Sequence, residues 1–243
     1  MDFTPMMEVD RTRPHAELDG TDIDPRLSRY REQFSMPIIV TKHALADEGS
    51  FYMATNDQTG LATAAAPTAF SATNPFLILY NNGYPSDEVA PRFYLDYLML
   101  LNTAPGTGPT SLQCAITKDR GNRYTSGGTE LTSKVTNLGP TSVASVAKLY
   151  AGNLTASAAT ASVRTLIGNR WLKGAIPVIG DQYTIRSGAA GIPDMITIST
   201  IMANTQNIPP IVLGPDESLL FHLWLPAQSV ASSFLPEIGW WER

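Results

Sequence analysis

The feature that most constrains this chain is its pattern from residue 59 onward, where short apolar runs follow one another, each bounded by Gly, Pro, Asn or Asp. Runs of that kind are too short and too punctuated for the helices of a packed domain, and they suit strands joined by tight turns. The expected fold class is therefore all-β, a sandwich or barrel. The candidate strands are 60–66, 76–80, 93–101, 111–117, 130–136, 144–151, 163–167, 174–179, 182–187, 195–202, 208–213, 218–225 and 233–241. Turn chemistry separates several of them: Asn81-Asn82-Gly83 and Ile179-Gly180-Asp181 supply residues tolerant of positive φ. Phe93–Leu101 is apolar at both alternating positions, and its aromatic content selects strand over helix. The Ala/Ser/Thr-rich stretch 141–162 reads as a strand followed by an exposed loop near 152–162.

Residues 1–58 differ in kind. They hold 11 acidic and 6 basic residues, whereas 59–243 hold 11 and 11, so all of the net charge of −5 lies at the N-terminal end. Prolines are scattered through this segment and periodicity is weak, apart from Leu27, Tyr30 and Phe34, whose spacing predicts a two-turn helix over 26–34 after Asp24-Pro25. The expected organisation is an extended arm, 1–58, and a β-sandwich body, 59–243. Ordering backbone costs roughly 1–2 kcal/mol per residue, so such an arm is fixed only along a large surface. Phe3, Leu27, Tyr30 and Phe34 are its candidate contacts.

The body is 185 residues of a 243-residue chain, enough for one full core. Only 16% of the chain is charged, against roughly 25% in ordinary soluble domains. Much of its surface is therefore covered by small polar residues or by other protein. No basic cluster is present, which excludes phosphate-driven nucleic-acid binding. The single cysteine, Cys114, lies in an apolar run and reads as a small buried hydrophobe. No signal-like N-terminus and no run of about 18 apolar residues occurs, so synthesis in a cytoplasm and no membrane insertion are expected.

Chemistry is sparsely represented. The chain has no phosphate loop, no dinucleotide fingerprint, no nucleophile elbow, no zinc-protease motif and no calcium loop. Of three histidines, His15 and His43 read as solvated. His222 sits on one face of a strand with Leu220 and Trp224, opposite Leu219, Phe221, Leu223 and Leu225. It reads as a hydrogen-bonded histidine at a packed interface. Asp96 interrupts an apolar run and needs a partner if buried, and Asp216 and Glu217 fit a turn. No catalytic residue, cofactor or metal is assigned, and the chain is not expected to be an enzyme.

The C-terminal third carries the strongest signal. Val212-Leu213-Gly214-Pro215-Asp216-Glu217-Ser218-Leu219 reads as a late hairpin, and the chain closes on Phe234-Leu235-Pro236-Glu237-Ile238-Gly239-Trp240-Trp241-Glu242-Arg243. Two tryptophans this near a terminus must be covered by something, because termini otherwise fray. Together with Arg123–Thr129 and Arg170–Asp181, these stretches resemble the jelly-roll head decoration, or cement, proteins of tailed bacteriophages. That resemblance implies a jelly-roll-like antiparallel sandwich, a homotrimer, the major capsid protein as partner, and a place on the outer capsid surface of the virion. The candidate interface residues in the body are His222, Trp224, Phe234, Trp240 and Trp241. The alternative is a receptor- or glycan-binding head or tail fibre module, in which Trp171, Trp224, Trp240 or Trp241 would stack on sugar rings.

Overall fold

The computed structural model describes residues 46–64, 68–83, 90–108, 111–140, 143–188 and 203–243. The chain divides into two units, Met1–Val40 and Thr41–Arg243, and every described residue belongs to the second. The strands are β1 (Phe51–Thr55), β2 (Leu61–Ala62), β3 (Leu77–Asn81), β4 (Phe93–Ala104), β5 (Leu112–Arg120), β6 (Tyr124–Glu130), β7 (Thr136–Asn137), β8 (Ala147–Ala156), β9 (Arg164–Lys173), β10 (Gln182–Ser187), β11 (Ala203–Ile208), β12 (Val212–Leu213), β13 (Glu217–Trp224) and β14 (Ser233–Glu242).

They form two sheets. One runs β11-β10-β4-β14-β1-β7, with β12 and β2 added on β4 and β14, and the other runs β6-β8-β3-β13-β5-β9. Within these, β1-β14-β4-β10 faces β3-β13-β5-β9. In chain order β1, β3, β4, β5, β9, β10, β13 and β14, this is the double Greek key of a jelly roll. The segment between β5 and β9 is an insertion that widens both sheets at one side, with β6 and β8 extending the second sheet beyond β3 and β7 extending the first beyond β1.

The core lies between the sheets. Leu219, Phe221, Leu223, Leu77, Leu79, Cys114 and Ile116 meet Leu98, Leu100, Phe93, Ile238, Phe234 and Tyr183 there, all buried. Cys114 is free and enclosed, and burial pushes its thiol up to about 12, so it serves as the small hydrophobe its sequence context indicated. The alternation along β13 explains why one strand reads as apolar throughout. Its odd positions fill the core, while Leu220 joins Ile78, Tyr150 and Leu154 in a second cluster on the outer face of the same sheet.

β14 is the spine of the first sheet, flanked by β4 and β1. Pro236 falls between the stretch paired with β1 and the stretch paired with β2, where one side of the strand meets no partner. Gly239 is required by close approach: a Cβ there would lie 2.4 Å from the Tyr97 ring, which lies across the strand.

Several expectations are corrected. The boundary at residue 58 is too late, because Phe51–Thr55 is an internal strand pairing with both β14 and β7. The stretch 174–179 is a turn region and not a strand, consistent with Pro177 lying between two glycines. The 212–219 segment is not a hairpin: β12 pairs with β4 in one sheet and β13 with β3 and β5 in the other, so the Gly-Pro-Asp turn crosses between sheets. β8 runs on to Ala156, into the expected loop. The predicted helix at 26–34 and the strand at 195–202 lie outside the described residues.

Candidate interaction surfaces

His222 and Trp224 project from the outer face of the six-stranded sheet, and both are buried there. Phe70 covers them, its ring 4.8 Å from that of His222 and edge-on to Trp224 at 6.0 Å. His222 Nε2 shares a 3.0 Å hydrogen bond with Thr117 Oγ1 on β5. The backbone of Ser71 favours its charged form, but Nδ1 has no hydrogen-bond partner of ordinary geometry among the described residues. Desolvation dominates and pushes the imidazole down to about 4. These contacts make His222 the packed, hydrogen-bonded histidine its pattern indicated.

A stability consequence follows from the depressed value. The unfolded chain takes up this proton near 6.5 and the folded chain only near 4, so stability falls as pH drops through that window. The loss amounts to about 3 kcal/mol once both states are protonated. Urea titrations at stepped pH should show this fall in the wild type and a flatter profile in His222→Gln; identical slopes would contradict the assignment.

Beside this face lies an ion pair that was not singled out in the sequence. Arg123 Nη1 meets Asp119 Oδ2 at 2.5 Å with both side chains buried. Arg123 also donates to the carbonyls of Ser157 and Ala72, and Asp119 accepts from Thr160, Ser162 and the Arg120 amide. Burial would raise the Asp119 carboxyl, but these donors outweigh it and hold it down at about 2. The pair pins the 71–74 and 157–162 loops over the sheet face. The only signal in the sequence was a charged trio, Lys118-Asp119-Arg120, ending an apolar strand.

The C-terminal residues separate by strand parity. Trp240 is wholly buried in the core, 6.2 Å from both Tyr52 and Phe93 by ring centroid, with its Nε1 donating to Glu242 Oε1 at 3.0 Å. Phe234 is also wholly buried, edge-on to Phe76 and Tyr183. Both are thereby corrected from interface to core residues: their surface is consumed within the chain. Trp241 lies on the other face of the sheet, half-buried and stacked on Tyr94 at 6.0 Å. Trp224 and His222 are likewise enclosed by the chain itself. Phe3, Leu27, Tyr30 and Phe34 lie outside the described residues.

The exposed apolar side chains are elsewhere. One group is Trp171 at the end of β9 with Ile176, Val178 and Ile179 in the turn that follows; Trp171 is 62% and Ile179 66% exposed. The turn is held by Asp181, which pairs with Lys173 at 2.5 Å and accepts from the Val178 amide and the Tyr183 hydroxyl. The other group is Leu138, Val143 and Val146 in the insertion, with Val143 58% exposed. Reading 174–179 as a strand hid the first group by assigning half of it to a core face.

Among the described residues no cluster of three or more His, Cys, Asp or Glu side chains could hold a metal ion, and no helix is long and apolar enough to cross a membrane. Comparison with protein-family models, curated proteins and solved structures finds no match.

Proposed function

We propose that this chain is a structural assembly protein, a jelly roll that associates with copies of itself and seats on a larger particle. The observation that carries this reading is the pair of exposed apolar groups on rigidly held turns of a body with few charges. Isolated exposed hydrophobes are commonplace, but grouped ones mark surfaces that meet protein. The resemblance of the C-terminal stretches to phage head decoration proteins supplies the particle: the outer capsid surface, with the major capsid protein as partner and a homotrimer as the working unit. Jelly rolls serve both capsids and lectins, so the fold is compatible with this role without fixing it.

The alternative, a receptor- or glycan-binding module, is favoured by one observation: Trp171 is exposed, with Asn169 and Arg170 also exposed beside it. A glycan array read with wild type and Trp171→Ser addresses it, since saturable binding lost in the variant would reverse the ranking.

For the capsid reading, the chain should co-sediment with emptied heads of the phage that encodes it. A version lacking residues 1–40 should lose most of that binding while keeping its fold. The cut must stop there, because removal of 1–58 would delete β1 from the middle of a sheet. Undiminished binding by the truncated chain would eliminate the arm from the account.

A further inference from the structure

The two exposed apolar groups lie on opposite sides of the sandwich. Trp171 and the 174–180 turn belong to the β9–β10 side, where β9 ends one sheet and the Gln206 side chain of β11, at the edge of the other, donates to the Trp171 carbonyl at 2.7 Å. Leu138, Val143 and Val146 belong to the insertion side, beyond β7 of one sheet and leading into β8 of the other.

Their charged surroundings are of opposite sign. Arg170 precedes Trp171 and is exposed. The insertion loop is tied to the 46–49 turn: Asn137 Nδ2 donates to Gly49 O at 2.7 Å and Val143 O at 3.3 Å, and Gly139 packs against Ala46 and Gly49. That turn presents Asp47 and Glu48, both exposed, with Glu48 engaged by Arg243 at 2.9 Å.

We propose that copies of this chain associate head to tail, the Trp171–Ile179 surface of one seated on the Leu138–Val146 surface of the next, with Arg170 opposite Asp47. The inference rests on the self-assembly reading above and names its contact. A two-fold pairing of the Trp171 surface with itself would set Arg170 against Arg170, whereas head-to-tail pairing matches apolar to apolar and basic to acidic. Trp171 and its three aliphatic neighbours offer on the order of half the roughly 800 Å² that each partner contributes to a standard interface. The flanking charged and small polar residues form the rim. Because the two surfaces are different and lie on opposite sides, the contact is heterologous and closes only as a ring.

The test is sedimentation velocity of the full chain across the micromolar range, with Arg170→Glu, Asp47→Arg, the double variant and Trp171→Ser, each first checked by near-ultraviolet circular dichroism. Each single reversal sets like charges across the contact and should weaken association at least about tenfold. The double variant should restore it to within about threefold of wild type, and Trp171→Ser should weaken it independently of charge. If wild type associates but the single reversals and Trp171→Ser associate equally well, the surface is wrong while self-assembly stands. A double variant no better than the weaker single also overturns the pairing. A wild type that stays monomeric throughout overturns the self-assembly reading itself.

Discussion

Arg123→Met is expected to lower the free energy of unfolding by about 3–5 kcal/mol, one of the two largest effects of a single substitution in this protein. The reason is the Asp119 carboxylate left behind. Asp119 is buried and accepts from Thr160, Ser162 and the Arg120 amide, but Arg123 supplies its only positive charge among the described ion pairs. The same substitution releases Ser157 and Ala72 carbonyls from their donor, so the 71–74 and 157–162 loops should loosen together. Urea titration gives the magnitude, and hydrogen exchange should show lost protection at the Ala156 and Ser157 amides, which bond to Thr73 and Arg123 carbonyls. Arg123→Lys, which keeps charge but not the guanidinium fork, should fall between. A change below about 1 kcal/mol, the range of an exposed pair, would mean that water reaches the site.

Trp240→Ala should cost about 3–5 kcal/mol by cavity formation. The indole is fully enclosed between Tyr52 of β1 and Phe93 of β4, so its loss opens the core where the first sheet is closed by its last strand. The substitution also removes the Nε1 donor from Glu242, whose carboxyl burial already raises, leaving the Ser145 hydroxyl as its side-chain donor. Trp240→Phe keeps most of the volume and should cost less than half as much. Trp241→Ala, on the half-buried outer face, should cost less than Trp240→Ala. Equal losses at 240 and 241 would contradict the parity by which β14 sends one tryptophan inward and the other outward.

Those two tryptophans also show how far the sequence could be read. That something must cover them was legible from their chemistry; which one enters the core depends on the register of β14 against β4, which includes a bulge between Gly239 and Trp240 and is set by long-range pairing. β13 was legible on both faces because its odd and even positions are each apolar in their own right. β1 was hidden because the surrounding charge imbalance outweighed five residues of good strand composition, Phe51-Tyr52-Met53-Ala54-Thr55. β6 was hidden for a backbone reason: Gly127 and Gly128 both take positive φ beside register shifts, and such a bulged, glycine-rich edge strand has no apolar alternation to find. The supposed hairpin at 212–219 failed because a tight turn looks the same in sequence whether it returns within a sheet or crosses to another. Asp119 and Arg123, four apart in sequence, are brought together only because the chain reverses between β5 and β6 and two distant loops close over them.

The account makes self-association of the folded body its central physical claim. Multi-angle light scattering on the full chain at high micromolar concentration tests it most directly. A single species at an integral multiple of the 26.3 kDa chain mass is the predicted result. A mass of one chain at every concentration reached, with the fold intact, would contradict it.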